Sequence, residues 1–251
     1  MRASFPDHFS AISDNYAQFR PRYPEVLFGY LAATTPQRDL AWDCATGSGQ
    51  AALPLAQFFS RVIAADASAQ QVSKAAKHPR VHYLVTSAEA SGLRPASIDL
   101  ITVAQALHWF DLPRFYAEVE RVLRPGGVLA VWSYGRLQVA HETIQTLFDR
   151  FYDHIIGPYW PPERRFVEEG YRSFNFPFEE LQPPGFALTA EWPLHHLAGY
   201  LRTWSATQKF MQAHGTDPVS DLLPQLERHW GNPQSPRMIS WPIALRSGRR
   251  P

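Results

Sequence analysis

Between residues 40 and 134, short apolar runs alternate with segments of helical spacing. Leu40–Cys44, Val62–Asp66, Val81–Val85, Ile98–Ala104 and Val128–Tyr134 read as five strands, while Gln50–Phe59 and Ala69–Lys77 read as helices. A further helix is opened by Asp111, a capping residue, with Pro113 in its first turn and Phe115, Val119, Val122 and Leu123 on its apolar face. Pro125-Gly126-Gly127 ends it. Short strands that are apolar on both faces, separated mostly by helices, predict an α/β fold with a parallel, doubly wound sheet.

The flanks are less regular. Phe9–Ala33 predicts two helices divided near Pro21-Arg22-Tyr23-Pro24, because proline disfavours helix at the residue before it. Downstream, His141–Ile156 reads as a helix and Gly157–Gly185, rich in proline and aromatic residues, as irregular chain. Phe186–His195 is expected as a sixth strand, Leu197–Ala213 and Asp221–Trp230 as helices, and Met238–Arg246 as a closing strand. Pro193 and Pro242 fall inside the last two strands, so bulges or edge positions are expected there. The basic tail Arg246-Ser247-Gly248-Arg249-Arg250 reads as a solvated terminus.

Composition narrows the functional classes. With 251 residues, 45% of them hydrophobic and 19% charged, the chain can bury one large core and is not of disordered type. Its 24 basic and 23 acidic residues leave a net charge of +1, which gives no electrostatic footprint for a nucleic acid. Cys44 is the single cysteine, so no intrachain disulfide can form. Its place in a tight turn suits a small buried residue better than a nucleophile. Met1–Tyr16 lacks the apolar run of a signal peptide, and no apolar stretch is long enough to span a bilayer. A cytoplasmic protein with no membrane partner is expected. His195-His196 has no companion ligands at metal spacing, so no metal site is expected.

Candidate chemistry sits at Asp43-Cys44-Ala45-Thr46-Gly47-Ser48-Gly49, which joins the first strand to the first helix. Open α/β sheets bind ligands at this carboxyl end, and small residues there let the backbone approach a ligand closely. Asp66 ends the second strand, where a carboxylate can accept both ribose hydroxyls of an adenosine. Two ligands compete, because Gly47-Ser48-Gly49-Gln50-Ala51-Ala52 also fits a dinucleotide fingerprint. Asp43 would repel a pyrophosphate and suits a ligand that carries an ammonium and a sulfonium, which favours S-adenosylmethionine.

These residues, together with Thr86-Ser87-Ala88-Glu89, Asp99–Phe110 and Glu120–Gly127, resemble the motifs of class I S-adenosylmethionine-dependent methyltransferases. The resemblance is to the methyltransferase type 11 kind and, within it, the trans-aconitate methyltransferase-like group. Tyr16–Pro24 and Tyr200–Ser205 also look like this group. The resemblance implies a Rossmann-like, seven-stranded, mostly parallel sheet with an antiparallel last strand, an N-terminal helical lid and an inserted helical cap. It implies one domain over residues 1–251: a lid to residue 38, a cofactor core over 39–135, an acceptor-pocket region over 136–237, and a last strand and tail. The implied reaction is methyl transfer from S-adenosyl-L-methionine to a small-molecule acceptor, at a carboxylate or hydroxyl oxygen.

By the same resemblance Asp43, Ala45, Gly47, Gly49, Asp66 and Ala67 hold the cofactor, with Ser87, Ala88 and Glu89 against the adenine edge. Gln105 would hold the methionine amino end, with Tyr16 near the sulfonium and Arg20 against the methionine carboxylate. Arg20 reads equally well as a surface arginine on a lid helix. Ala45 stands where relatives carry glycine and Ser87 where many carry aspartate; alanine keeps such a turn if its backbone is not left-handed. His108, just past the fourth strand, would face the acceptor either as a general base or as a packed structural histidine. A carboxylate acceptor needs no base, and an arginine such as Arg20, Arg172 or Arg202 would then bind the acid.

Overall fold

The structure is a computed structural model that describes residues 19–251. The five predicted strands are β1 (Leu40–Cys44), β2 (Arg61–Asp66), β3 (Val81–Val85), β4 (Ile98–Ala104) and β5 (Leu123–Tyr134). They run parallel in the order β3-β2-β1-β4-β5. Winding therefore reverses between β1 and β4, and this switch point opens a crevice at the carboxyl ends of both strands.

Four more strands extend the sheet: β6 (Gln138–Val139), β7 (Glu179–Glu180), β8 (Phe186–Trp192) and β9 (Arg237–Arg249). β9 lies antiparallel against β5, and β8 against β9, so the expected antiparallel last strand is present. The two-residue pieces β6 and β7 bring the total among the described residues to nine rather than seven.

Helices cover both faces. α1 (Glu25–Thr34) and α2 (Ala52–Phe58) pack Leu27, Phe28, Leu31 and Leu55 over Val128, Ala130 and Trp132 of β5. The alternate β5 residues Leu129 and Val131 meet Phe115, Val119 and Val122 of α4 (Leu112–Val122) on the other face. α3 (Ala69–Lys74) is capped by Ser68, whose side chain accepts from Gln71 N. The buried carboxylate of Asp99 fastens the amino end of β1 to β4, accepting from the Asp39 and Leu40 amides at 2.8 Å and from Arg124 at 2.6 Å. The remaining helices are α5 (Glu142–Arg150), α6 (Arg164–Glu168), α7 (Leu194–Arg202), α8 (Ser205–His214) and α9 (Pro218–Trp230).

Several expectations are corrected. The sixth strand stops at Trp192 because Pro193 is the N-cap of α7 rather than a strand residue. The helix expected over Leu197–Ala213 is two helices, broken at Thr203-Trp204. Thr203 Oγ1 turns back to Tyr200 O at 2.7 Å and Gln208 Nε2 takes the freed Arg202 carbonyl at 2.7 Å, so buried Trp204 swings into an aromatic cluster. Pro242 lies inside β9, between neighbours, and not at an edge. Its carbonyl accepts from Gly135 N where β5 has ended; in an antiparallel strand the missing N–H points the same way, so the one bond it forgoes lies past the last residue of β5.

The basic tail is ordered as strand. Arg246 pairs with Glu180 at 2.7 Å and donates to Tyr171 O at 2.5 Å, and Arg249 donates to Thr34 O at 2.8 Å. The first predicted lid helix and Tyr16 lie outside the described residues. Among the described residues, no helix is long and apolar enough to cross a membrane.

Candidate active site

A cavity of about 330 Å³ opens over the switch point, walled by the β1–α2 turn, the ends of β2, β4 and β5, and the segment from Tyr152 to Trp204. Asp43, Ala45, Gly47, Asp66, Ala67, Ser87, Ala88, Glu89 and Gln105 line one part of it, and Arg20 and His108 also reach it. Gly49 does not. A side chain there would strike the Tyr83 hydroxyl at 2.6 Å, so packing against β3, with φ +88°, requires the glycine. Gly47 is the position whose bare backbone faces the open space: its φ is +56° and nothing lies within 4 Å of where its Cβ would be.

Two carboxylates shape the turn. Asp43 is 1% exposed and accepts from Thr46 Oγ1 at 2.5 Å and from Thr102 Oγ1 at 2.8 Å. Burial outweighs these bonds and, with nearby Asp66 acting in the same sense, pushes its carboxyl up to about 6. Asp66 accepts from Gly47 N at 2.8 Å through Oδ2 and from Ser68 N at 2.9 Å through Oδ1. A carboxylate has about four acceptor sites, so two remain for a pair of hydroxyls. Capping of α3 falls to Ser68, which leaves Asp66 to the crevice.

Asp43 gives a pH dependence with a definite sign. A cationic ligand favours the charged carboxylate, so binding below pH 6 must release a proton. Affinity for S-adenosylmethionine should fall as the pH drops from 7 to 5, by up to about tenfold per unit below 6, and Asp43→Asn should flatten the slope. Calorimetric titration that finds equal affinity at pH 7 and pH 5 in the wild type would contradict this.

Ala45 has φ +55°, so the condition under which alanine replaces glycine without strain is not met. The left-handed backbone costs about 1–2 kcal/mol for an alanine, against about 0.5–1 kcal/mol of extra chain entropy for glycine. Ala45→Gly should therefore stabilise the fold by up to about 1 kcal/mol in urea unfolding; a loss of that size would show the strain is absent. Gln105 is also left-handed, at φ +58°, with its N–H donated to Trp132 O at 2.9 Å and its side chain reaching Tyr134 O at 3.4 Å.

Part of the opposite wall, Trp160 and Arg164, comes from chain read as irregular. Trp160, Arg164 and Tyr152 line it, joined by Trp204 from the α7–α8 break and by Tyr200 and Trp241. Tyr152, Trp160 and Trp204 lie 5.0–5.7 Å apart by ring centroid. Arg164 Nε donates to the Tyr152 hydroxyl at 2.7 Å, its guanidinium lies 4.8 Å from the Trp160 ring, and Glu168 is 3.6 Å away. Arg20 donates to the Tyr134 hydroxyl at 2.5 Å and lies 5.5 Å from the Tyr200 ring. Of the other arginines expected to bind an acid, Arg202 is paired with Asp217 at 2.7 Å and Arg172 is exposed; neither lines the cavity. Arg136 and Arg164 do, and periodicity gave no signal for either.

His108 occupies a single 3₁₀ turn, Leu107–Trp109, directly after β4. Its Nδ1 is 3.1 Å from the Tyr171 hydroxyl. Burial, and then the charge of Arg164, lower its pKa to about 4, so the ring is neutral at physiological pH. Among the described residues no cluster of three or more His, Cys, Asp or Glu side chains is placed to hold a metal.

Residues 42–131 match the family described as methyltransferase domain. A Dictyostelium discoideum protein provisionally named as a methyltransferase is 37% identical over 221 residues, covering 87% of this chain and 84% of its own. A solved structure provisionally described as a type II methyltransferase from Anaeromyxobacter dehalogenans is 47% identical with a TM-score of 0.88, covering 92% of this chain and 97% of its own. The Haemonchus contortus phosphoethanolamine N-methyltransferase 2, solved with S-adenosylhomocysteine, shares the fold at 15% identity, TM-score 0.51, over 99% of this chain and 60% of its own. The chain belongs to the class I S-adenosylmethionine-dependent methyltransferases. Its cofactor is S-adenosylmethionine, which sets aside the dinucleotide reading of the glycine turn.

Proposed function

We propose that the enzyme methylates a carboxylate oxygen of a small organic acid. The observation that carries this is the distribution of charge around the cavity. Its lining carboxylates, Asp43, Asp66 and Glu89, all belong to the cofactor motifs, whereas the wall beside His108 presents Arg164 among aromatic rings; Arg136 also lines the cavity but is paired with Asp153 at 2.8 Å. A cation without lining acids suits an anionic acceptor, and the rings suit a flat, unsaturated skeleton. The reading also agrees with the resemblance to trans-aconitate methyltransferases.

The cofactor fits the other half. Asp66 keeps two acceptor sites for the ribose, Gly47 leaves open space at the turn, and Ser87, Ala88 and Glu89 line the adenine side. Arg20 would take the methionine carboxylate, and Gln105 with Asp43 the ammonium. S-adenosylmethionine supplies an electrophilic methyl on a sulfonium that departs as a neutral thioether. An acid acceptor is ionised at neutral pH, so a carboxylate oxygen lone pair forms the new O–C bond as the C–S bond breaks, and no proton moves. Arg164 anchors and orients the acid, while Tyr152, Trp160, Tyr200 and Trp204 exclude water. Residues 1–251 act as one domain in this reading.

Turnover measured with labelled methyl donor on matched acids, primary amides and alcohols of one skeleton tests it. The acid should react, with the amide and alcohol about 10²-fold slower or inert. Equal or faster turnover of the uncharged acceptors would overturn it.

A further inference from the structure

The partner of His108 is itself unusual. Tyr171 is fully buried, yet its backbone is left-handed, at φ +60°. That backbone is held from both sides, since its N–H donates to Phe166 O at 2.8 Å and its carbonyl accepts from Arg246 at 2.5 Å. Its ring stacks on Phe174 at 5.8 Å with an interplanar angle of 10°. The phenol is thus placed by β9 and by the segment after α6, with its oxygen 3.1 Å from His108 Nδ1. The imidazole also lies 4.6 Å from the Trp109 ring and 5.9 Å from the Tyr171 ring between centroids, the latter at an interplanar angle of 25°.

The direction of that hydrogen bond follows from donor counting. Burial pushes the phenol far above its ordinary range, so it keeps its proton. That proton needs an acceptor, and among the described residues the one in reach is His108 Nδ1. A backbone hydrogen bond from Leu107 already reaches the phenol oxygen. If Nδ1 carried the ring proton instead, it would donate to the second lone pair of the phenol oxygen, and the buried hydroxyl proton would be left without an acceptor among the described residues. With Nδ1 accepting, a neutral imidazole must hold its proton on Nε2.

We propose that Tyr171 is a positioning residue that locks His108 as the Nε2–H tautomer, so that the ring offers the acceptor a hydrogen bond rather than taking a proton from it. His108 then binds one oxygen of an acceptor that arrives already ionised, beside the guanidinium of Arg164. The assignment of the tautomer stands on the hydrogen-bond geometry and on burial, complete at Tyr171 and partial at His108, and only its use toward a carboxylate rests on the function proposed above. A ring nitrogen that already bears a proton cannot deprotonate a phenol or an amine, so the lock disfavours those acceptors.

Two experiments test it. Nitrogen-15 NMR of the wild-type protein labelled at histidine, with His108→Gln to assign the resonance, should show a protonated Nε2 and an unprotonated Nδ1. A protonated Nδ1 would overturn the proposal whatever the acceptor proves to be. Kinetics give the second readout, because glutamine places an amide N–H near the Nε2 position but is no base. His108→Gln should keep turnover within about tenfold of wild type on an acid acceptor, while His108→Leu loses binding, with KM raised more than tenfold. Equal losses of about 10²-fold or more in turnover for both variants would mark a general base and sink the proposal. Tyr171→Phe should give mixed tautomers and a raised acceptor KM with unchanged affinity for S-adenosylhomocysteine; an unaltered nitrogen spectrum in that variant would equally overturn the lock.

Discussion

Arg164→Met should lower kcat/KM for an acid acceptor by about 10²-fold, equivalent to about 2–3 kcal/mol of lost transition-state binding. Methionine keeps most of the aliphatic stem and removes the guanidinium, together with its contacts to the Trp160 ring and the Tyr152 hydroxyl. Glu168 stays compensated, since it also meets Arg136 at 3.6 Å and the Tyr152 hydroxyl, so the fold should survive. Loss should appear mainly in the acceptor KM, and affinity for S-adenosylhomocysteine should not move. Arg202→Met is the control: that arginine is spent on Asp217 outside the cavity, and its loss should leave the acceptor KM unchanged. Wild-type kinetics in Arg164→Met would remove the anchor from the account.

Asp66→Ala should weaken cofactor binding by about 1.5–3 kcal/mol, or about 10- to 150-fold. The ribose would lose its acceptor, and the structure adds a second cause. The same carboxylate ties the Gly47 and Ser68 amides, so its removal also loosens the turn that approaches the ligand. Asp66→Asn retains one acceptor oxygen and should fall between wild type and alanine. A folded Asp66→Ala variant with an unchanged dissociation constant would show that the ribose sits elsewhere.

The cofactor half of the site was legible in the sequence because local chemistry dictates it. Strands buried on both faces need continuous apolar runs, which mark β1, β2, β4 and β5, with β3 as the exposed edge, and the glycine turn with Asp66 follows directly from them. The acceptor half was not legible. Arg164 stands in a five-residue helix within a stretch that has no period, and it reaches the cavity only through its packing on Tyr152 and Trp160. The tail read as solvated because Arg246, Arg249 and Arg250 are charged. Their backbone completes the ladder with β5, and their side chains find carboxylate and carbonyl partners distant in sequence. The break at Thr203-Trp204 carries neither glycine nor proline; it is made by a threonine bonding to its own helix and a tryptophan that buries better outside it. A left-handed alanine at position 45 likewise leaves no mark in composition.

If the methyl group ends on a carboxylate oxygen, the bond it forms can be read without knowing the acceptor in advance. A small-molecule extract incubated with the enzyme and methyl-labelled S-adenosylmethionine, then treated with mild alkali, should release the label as volatile methanol, because a methyl ester saponifies. Label that stays in a non-volatile product after alkali would mean an ether, amine or carbon acceptor and would contradict the account.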